Sequence, residues 1–365
     1  MKKNLILICA LLLAACSIRV TDMGQTATPV VRSTIAVELP TSTSLTVPTA
    51  PPTQPAIALP THFLTGHLIY IQGIRTLVKL DLGTGRLTTL FDGTGNAWIT
   101  AASVSPDGKQ IVMAYAPPSQ NPAQMGYAAL YLMPTDGSAA PKVFVPRRND
   151  QDTFFMPIWS ANGKYVYYAH EVVNPATTQT ANTYKYVLER ASYPDGQTQQ
   201  LIDNAFWPRP SPDGSKLAYV SFEPQSNAND LYIANADGSQ PKRVLPANDF
   251  LAVDAPLFSP DGKELLFSAV GQPQVSQLSW FDQLLGVQVA EAHNIPSEWW
   301  RVSATGGKPE RLTNIGETGL FGAFSPDGSR LAFITFDGIF VMAPDGSDLI
   351  QLIPNGPTST VDWIP

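Results

Sequence analysis

The sequence predicts an all-β fold: a six-bladed β-propeller of four-stranded antiparallel blades, with the ring closed by the C-terminal strand joining the first blade. The first observation is a repeated phrase, Ser-Pro-Asp-Gly or a close variant, that begins at Ser105, Ser160, Ser211, Ser259 and Ser325. The second is a glycine turn that recurs six times between these phrases. The third is that the two ends of the region match two halves of one further unit. Units of 48 to 66 residues with strand-like segments are typical of propeller blades.

One unit shows the order of elements within a blade. Residues 206–211 and 216–222 are rich in apolar and aromatic residues and predict the first two strands. Segments 230–234 and 242–245 predict the third and fourth strands. Between the first two strands, proline fixes φ, aspartate bonds the nearby backbone and glycine accepts positive φ, so this phrase is a tight turn.

The repeated phrase therefore predicts structure rather than chemistry. Its carboxylates are expected to form turns, since Asn162 replaces one of them without breaking the pattern; they are Asp107, Asp213, Asp261 and Asp327. Aromatic residues preceding the serine position are expected to pack between neighbouring blades; they are Trp159, Phe258, Phe324 and Trp363.

The second turn and the chain ends predict how many blades there are and how the ring closes. The six turns are Thr84-Gly85, Asp136-Gly137, Asp195-Gly196, Asp237-Gly238, Gly306-Gly307 and Asp345-Gly346. Residues 361–365 resemble the segment that leads into each repeated phrase, and residues 65–70 resemble the segment that follows it. One blade is therefore expected to contain both ends of the propeller.

These repeats resemble those of the TolB-type propellers, which are built from WD40-like units called PD40 repeats. The resemblance covers residues 63–365 and implies the fold. It implies no particular activity, because propellers carry unrelated functions. TolB has an α/β domain ahead of its propeller, whereas this sequence has a linker there, so the resemblance implies nothing about partners.

The N-terminal residues predict export and lipidation. A basic start, an apolar segment and Leu13-Ala14-Ala15-Cys16 resemble a bacterial lipoprotein signal in residues 1–15. The resemblance implies cleavage before Cys16 and lipidation of that cysteine, which would hold the protein outside the cytoplasm, on the periplasmic or cell-surface side. Cys9 would be removed with the signal, leaving no pair for an internal disulfide.

Residues 16–62 are expected to form a disordered tether, because this region is dominated by Thr, Pro and Ser. At about 3.1 Å per residue, such a linker reaches up to roughly 100 Å. The formal net charge is −7 with no basic cluster, which excludes a nucleic-acid partner. We expect a monomer.

Loop lengths predict where a partner binds. Turns after the first and third strands of each blade open on one side of the ring, here called the plain rim. Connections after the second and fourth strands open on the other side, the long-loop rim. The long segments 116–127, 170–183, 222–229 and 269–297 all follow second strands, so function is expected on the long-loop rim.

The longest of these segments contains the candidate partner-binding residues. A helix is predicted over 276–285, where apolar residues recur at helical spacing. Two interpretations stay open: these side chains pack onto the blades as a plug, or they bind a partner. The candidates are Leu278, Trp280, Phe281, Leu284 and Leu285, with Trp299 and Trp300 after the loop.

The sequence predicts no catalytic residue, cofactor or metal site. His170, His293 and Glu291 are metal-ligand candidates by residue type, but they lack a diagnostic spacing and are expected to be solvated loop residues. Hydrolase and phosphate-binding motifs are also missing from the sequence.

The sequence therefore favours a non-catalytic, membrane-tethered propeller that binds a protein or glycan. The alternative is a propeller enzyme, a hydrolase or lyase acting on polysaccharide or peptide at the ring mouth through His170, His293 and nearby carboxylates. A third interpretation is an assembly factor for membrane proteins.

Overall fold

The computed structural model describes residues 64–121, 125–173, 184–223, 228–247, 249–271, 296–317, 320–354 and 359–365. The predicted signal peptide, the cysteine predicted to be lipidated and the predicted tether lie outside these ranges. So does the helix predicted over 276–285. Among the described residues, no helix is long and apolar enough to cross a membrane.

The described ranges form 24 strands in six four-stranded antiparallel sheets. In chain order they are β1 (His67–Gln72), β2 (Thr76–Asp81), β3 (Leu87–Asp92), β4 (Trp98–Val104), β5 (Gln110–Ala116), β6 (Ala129–Pro134), β7 (Lys142–Val145), β8 (Thr153–Trp159), β9 (Tyr165–Val173), β10 (Tyr184–Ser192), β11 (Thr198–Asp203), β12 (Ala205–Pro210), β13 (Lys216–Glu223), β14 (Ala228–Asn235), β15 (Lys242–Arg243), β16 (Phe250–Phe258), β17 (Glu264–Gly271), β18 (Glu298–Ser303), β19 (Glu310–Arg311), β20 (Phe321–Phe324), β21 (Leu331–Thr335), β22 (Gly338–Met342), β23 (Ile350–Pro354) and β24 (Val361–Ile364).

The sheets confirm the predicted six-bladed propeller. Blade 1 has the order β24-β1-β2-β3, and blades 2 to 6 each take four consecutive strands, from β4–β7 to β20–β23. The C-terminal strand β24 pairs with β1, with Leu68 opposite Trp363 and Ile69 opposite Asp362. The indole of Trp363 also donates to the carbonyl of Thr65 at 2.9 Å. The ring is therefore closed by its own ends, as the sequence predicts.

The repeated turns have the hydrogen bonds expected of turn-forming carboxylates. In the first copy, the Ser105 hydroxyl donates to Asp107 Oδ1 at 2.6 Å, and the same oxygen accepts from the Lys109 backbone at 3.1 Å. In the second copy, the amide oxygen of Asn162 accepts the equivalent bonds from Ser160 Oγ and the Lys164 backbone, at 2.9 and 3.0 Å. The interpretation of these carboxylates as turn formers is confirmed.

The core lies mostly between adjacent blades, and the aromatic residues before each turn occupy it. Trp159 of blade 3 is buried with Val112 of blade 2, and its indole donates to the Ser103 carbonyl at 3.2 Å. Trp363 is buried with Ala332 of blade 6. Phe258 and Phe324 join the corresponding clusters between blades 4 and 5 and between blades 5 and 6. The predicted packing role is confirmed.

The second strands extend further toward the long-loop rim than the sequence predicts. The segment expected to be a loop from residue 170 is strand as far as Val173, where β9 pairs with Tyr184 of β10. Likewise, β13 continues to Glu223 and β14 begins at Ala228. Residues expected to be solvated in loops, His170 above all, therefore lie within a sheet.

Candidate functional site

Aromatic side chains line the mouth of the ring on the long-loop rim. The innermost strand of each blade starts on this rim, so its first residues surround the opening. Trp98, Phe206 and Phe321 lie within the first two residues of β4, β12 and β20. Phe155 is the third residue of the inner strand β8, and Tyr186 lies further from the axis, as the third residue of β10 in the same blade. Together with Trp207 of β12, these residues form what we call the aromatic row.

Successive rings of the aromatic row are in contact or near contact. The ring centroids lie 4.8 to 6.3 Å apart along Trp98, Phe155, Tyr186, Phe206, Trp207 and Phe321. The last step joins blades 4 and 6, which are not neighbours, so Trp207 and Phe321 meet across the ring axis. Trp207 is only 6 % exposed, whereas the other five rings are half-buried. The row therefore presents a strip of partly exposed aromatic surface.

Three inner strands contain bulges, and two of the bulges adjoin rings of the row. Met156, Trp207 and Ala255 have φ of 50°, 58° and 46° although none is glycine, and each precedes a proline. At each of them the pairing with the next strand shifts register. Non-glycine residues with positive φ are strained and often lie at functional sites. The bulge at Trp207 directs its indole toward the axis and Phe321.

Beneath the mouth, the axis contains a narrow cavity rather than a ligand pocket. Its volume is about 30 Å³, enough for one or two water molecules. The lining comes from the inner strands of several blades and includes Arg209, Pro256 and Asp362. This cavity is therefore too small for a ligand of substrate size.

Two charged side chains lie in this cavity. Arg209 Nε donates to the Pro256 carbonyl at 3.1 Å, and Asp362 Oδ2 accepts from the Val104 backbone at 2.5 Å. Burial raises the pKa of Asp362 to about 6, although the Val104 bond and the Arg209 charge both act to lower it. Burial also lowers the pKa of Arg209, against the opposing effect of Asp362. The carboxyl of Asp362 therefore titrates well above the usual range of an aspartate.

His170, expected at the opening of a long loop, is instead buried in β9 and is 2 % exposed. Its Nδ1 lies 3.0 Å from Glu189 Oε1, and its Nε2 lies 3.2 Å from Asp152 Oδ1. Tyr168 donates to Glu189 at 2.6 Å, and Arg148 donates to both carboxylate oxygens at 2.9 and 2.5 Å. The ring of His170 is thus enclosed by protein groups.

The hydrogen bonds determine the ionisation of Glu189. Burial alone would raise its pKa, but the bonds from His170, Arg148 and Tyr168 outweigh burial and hold the pKa at about 2. Burial, followed by the Glu189 charge, raises the pKa of Tyr168. Glu189 is therefore a buried anion with its oxygens fully engaged.

This cluster fixes the connection between blades 2 and 3 on the long-loop rim. Asp152 accepts from the backbone of Arg148 and of Asn149 at 3.0 and 3.2 Å. The Arg147 guanidinium lies 5.6 Å from the centre of the Tyr127 ring. Tyr127 is 41 % exposed, so this side of the rim also presents an aromatic side chain to solvent.

The structure places the sequence candidates as follows. Trp299 is completely buried and packs 5.9 Å from Phe333, so it has no surface for a partner; Trp300 is half-buried against Phe250 at 5.0 Å. Both tryptophans therefore pack against other side chains of the propeller. The remaining candidates lie outside the described residues; they are Leu278, Trp280, Phe281, Leu284, Leu285, His293 and Glu291. Across the described ranges, no group of three or more His, Cys, Asp or Glu could hold a metal ion.

Sequence reasoning missed the aromatic row. A signal for part of it exists, because Phe155 and Phe206 both stand five positions before the serine of the repeated turn. Trp98 and Phe321 have other spacings, so the row is visible only once the strands are aligned around the axis.

Comparison with known proteins supports the fold. No protein-family model matches this sequence, and no curated protein matches it. Among solved structures, TolB from Acinetobacter baumannii has a TM-score of 0.58 at 17% identity, over 84% of this chain and 68% of TolB. A putative TolB from Agrobacterium tumefaciens has a TM-score of 0.55 at 18% identity, over 80% of this chain and 100% of that protein.

An oligogalacturonate lyase in complex with manganese is also similar, with a TM-score of 0.50 at 13% identity, over 76% of this chain and 70% of the lyase. At such identities a likeness concerns the fold, and its chemistry does not transfer. Six four-stranded blades, a ring closed by β24 and the two TolB structures lead to one conclusion. The chain has a six-bladed β-propeller fold similar to that of the TolB structures.

Proposed function

We propose that this protein is a non-catalytic binding propeller of the bacterial cell envelope. It recognises a protein or glycan partner through the long-loop rim. The observation that carries the proposal is the aromatic row. Partly exposed aromatic side chains on a rigid scaffold lose little conformational entropy on binding, and they dominate the energetics of many interfaces.

The location at the envelope rests on the first residues of the chain. The lipoprotein-like sequence ending at Cys16 supports lipid anchoring, and the Thr/Pro/Ser-rich region after it supports a tether that carries a monomeric propeller away from the membrane. Metabolic labelling with a radioactive fatty acid tests this directly. Label should enter the wild-type protein and not a Cys16→Ala variant; equal labelling would contradict the anchor.

The enzymatic alternative depends mainly on His170. It needs His170 at the ring mouth, whereas the imidazole lies between Glu189 and Asp152 and is 2 % exposed. A general base has to reach a substrate proton within hydrogen-bonding distance. The likeness to a lyase concerns the fold, and no observation in the described residues favours turnover.

Capture from native envelope extracts tests the binding function. A Trp98→Ala, Phe206→Ala double variant removes two half-buried rings of the row, and Tyr193→Ala removes a 37 % exposed ring on the plain rim as a matched control. We expect the wild type and the Tyr193 variant to retain the same partner, and the double variant to lose it. An unchanged set of partners on the double variant, with its fold verified by circular dichroism, would overturn the proposal.

A further inference from the structure

The aromatic row also indicates a ligand class, an inference that rests on the proposed function. We infer that the row binds an uncharged linear polysaccharide. The first argument is shape. The rings follow one another in single file at 4.8 to 6.3 Å, from Trp98 in blade 2 to Phe321 in blade 6. The five half-buried rings can contact successive units of a chain, and the buried Trp207 joins two of them.

Sugar units form contacts of this kind. The C–H bonds of a pyranose form an apolar face that packs on an aromatic ring, while its hydroxyl groups remain in water. Five rings of the row are half-buried and keep part of their surface exposed, while neighbouring rings are tilted against one another by 36° to 69°. The indole of Trp98 is held in place by a 2.7 Å hydrogen bond from Nε1 to the Gly126 carbonyl.

The second argument is charge. Five of the described basic side chains of the long-loop rim are paired with acidic groups of the protein itself; the pairs are Arg75–Asp92 at 3.6 Å, Arg148–Glu189 at 2.5 Å, Lys185–Asp203 at 3.4 Å, Arg243–Asp230 at 2.6 Å and Arg311–Glu298 at 2.8 Å. Arg147 instead donates to the backbone carbonyls of Asn149 and Asp150. An acidic polysaccharide would have to compete for these cations. The protein as a whole has a net charge of −7, which also repels a polyanion. A neutral polysaccharide neither competes for these cations nor is repelled by the net charge.

The third argument concerns a protein partner. A stable protein interface buries about 800 Å² on each side around a broad, desolvated apolar centre. The row is a single file of side chains in which no ring is more than half exposed. Two of the strongly exposed apolar side chains of this rim, Met125 at 40 % and Phe336 at 45 %, belong to loops outside the row. The row therefore suits a narrow chain better than a protein surface.

The inference is tested with full-length protein in detergent and defined hexasaccharides. The neutral probes are those of cellulose, mannan and starch, and the acidic probe is hexagalacturonate of the same length. Binding is measured by calorimetry and by indole fluorescence, since Trp98 and Trp207 lie in the row. We expect at least one neutral probe to bind, with an affinity unaffected by ionic strength.

The variants locate the binding. Trp98→Ala and Phe206→Ala are each expected to weaken it about tenfold or more, which is the loss typical of an aromatic anchor, and Tyr193→Ala to leave it unchanged. Preference for hexagalacturonate, or no neutral binding at millimolar concentration, would overturn the inference. If a protein is captured through the row while no sugar binds, the ligand class is wrong and the binding function stands. If the row variants behave like the wild type toward both sugars and extracts, the ligand class and the binding function are both wrong.

Discussion

The two rims of this propeller differ in whether their residues recur from blade to blade. On the plain rim, each Ser-Pro-Asp-Gly turn makes the same bonds, and even Asn162 reproduces them. On the long-loop rim, the aromatic row and the buried cluster around His170 each occur once. A repeated residue therefore reports what every blade needs in order to fold, and an unrepeated residue is the better candidate for function.

The sharpest test of this contrast removes a carboxylate from each rim. Glu189→Ala leaves Arg148 and His170 without their buried anion, so we expect a loss of about 3–5 kcal/mol in the free energy of unfolding. On the plain rim, Glu310→Ala breaks an exposed pair with Arg301, whose N–O distance is 2.7 Å, and should cost below about 1 kcal/mol. Urea unfolding of both variants gives the comparison.

Similar losses for the two variants would contradict the distinction between the rims. Glu189→Gln separates charge from shape, because the amide keeps the volume and one acceptor oxygen. The free energy of unfolding of Glu189→Gln should lie between those of the wild type and Glu189→Ala.

A second test compares two glycines on the plain rim. Gly346 has φ of 86°, and an added Cβ would lie 2.3 Å from the Leu312 carbonyl oxygen of the neighbouring blade, whereas Gly214, with φ of 69°, faces open space. Alanine at Gly214 should cost about 1 kcal/mol for the left-handed backbone. Alanine at Gly346 should cost about 2–3 kcal/mol, because it also pushes the blades apart. Thermal unfolding of the two variants measures the difference, and equal losses would show that the blades yield freely at this contact.

The sequence was sufficient for the fold because each blade carries the same turn chemistry, and repetition makes weak local signals add up. It was insufficient for the site. His170 looked like a loop residue because nothing local shows that β9 continues to Val173, and its partner Glu189 is distant in sequence. For Trp299 the sequence left packing and partner binding both open, and the structure shows it buried beside Phe333. In both cases, contacts with other strands decide the environment.

A third test uses pH, because the pKa of Asp362 in the axial cavity and that of Asp213 in a repeated turn shift in opposite directions. Burial raises the pKa of Asp362 in the axial cavity to about 6, so the folded state holds this proton more tightly than the unfolded chain. Its contribution to stability is therefore complete at low pH and is lost as pH rises through about 6. Asp362→Asn should therefore flatten the pH profile of stability, and it also removes the negative charge that faces the buried Arg209. Urea unfolding between pH 4 and 8 measures the profile, and parallel pH profiles would contradict the role of burial.

The smallest effect is expected at a repeated turn. The Ser211 hydroxyl and the Ser215 backbone lower the pKa of Asp213, so its contribution is present at neutral pH and is lost as pH falls through the lowered folded value. Asp213→Asn should unfold like the wild type at neutral pH, because Asn162 already makes the same two bonds in another blade. Asp213→Ala, which removes both acceptors, should be the less stable variant. If the asparagine variant were as unstable as the alanine variant, the charge rather than the hydrogen bonds would hold this turn, and the equivalence of the five blades that carry it would be broken.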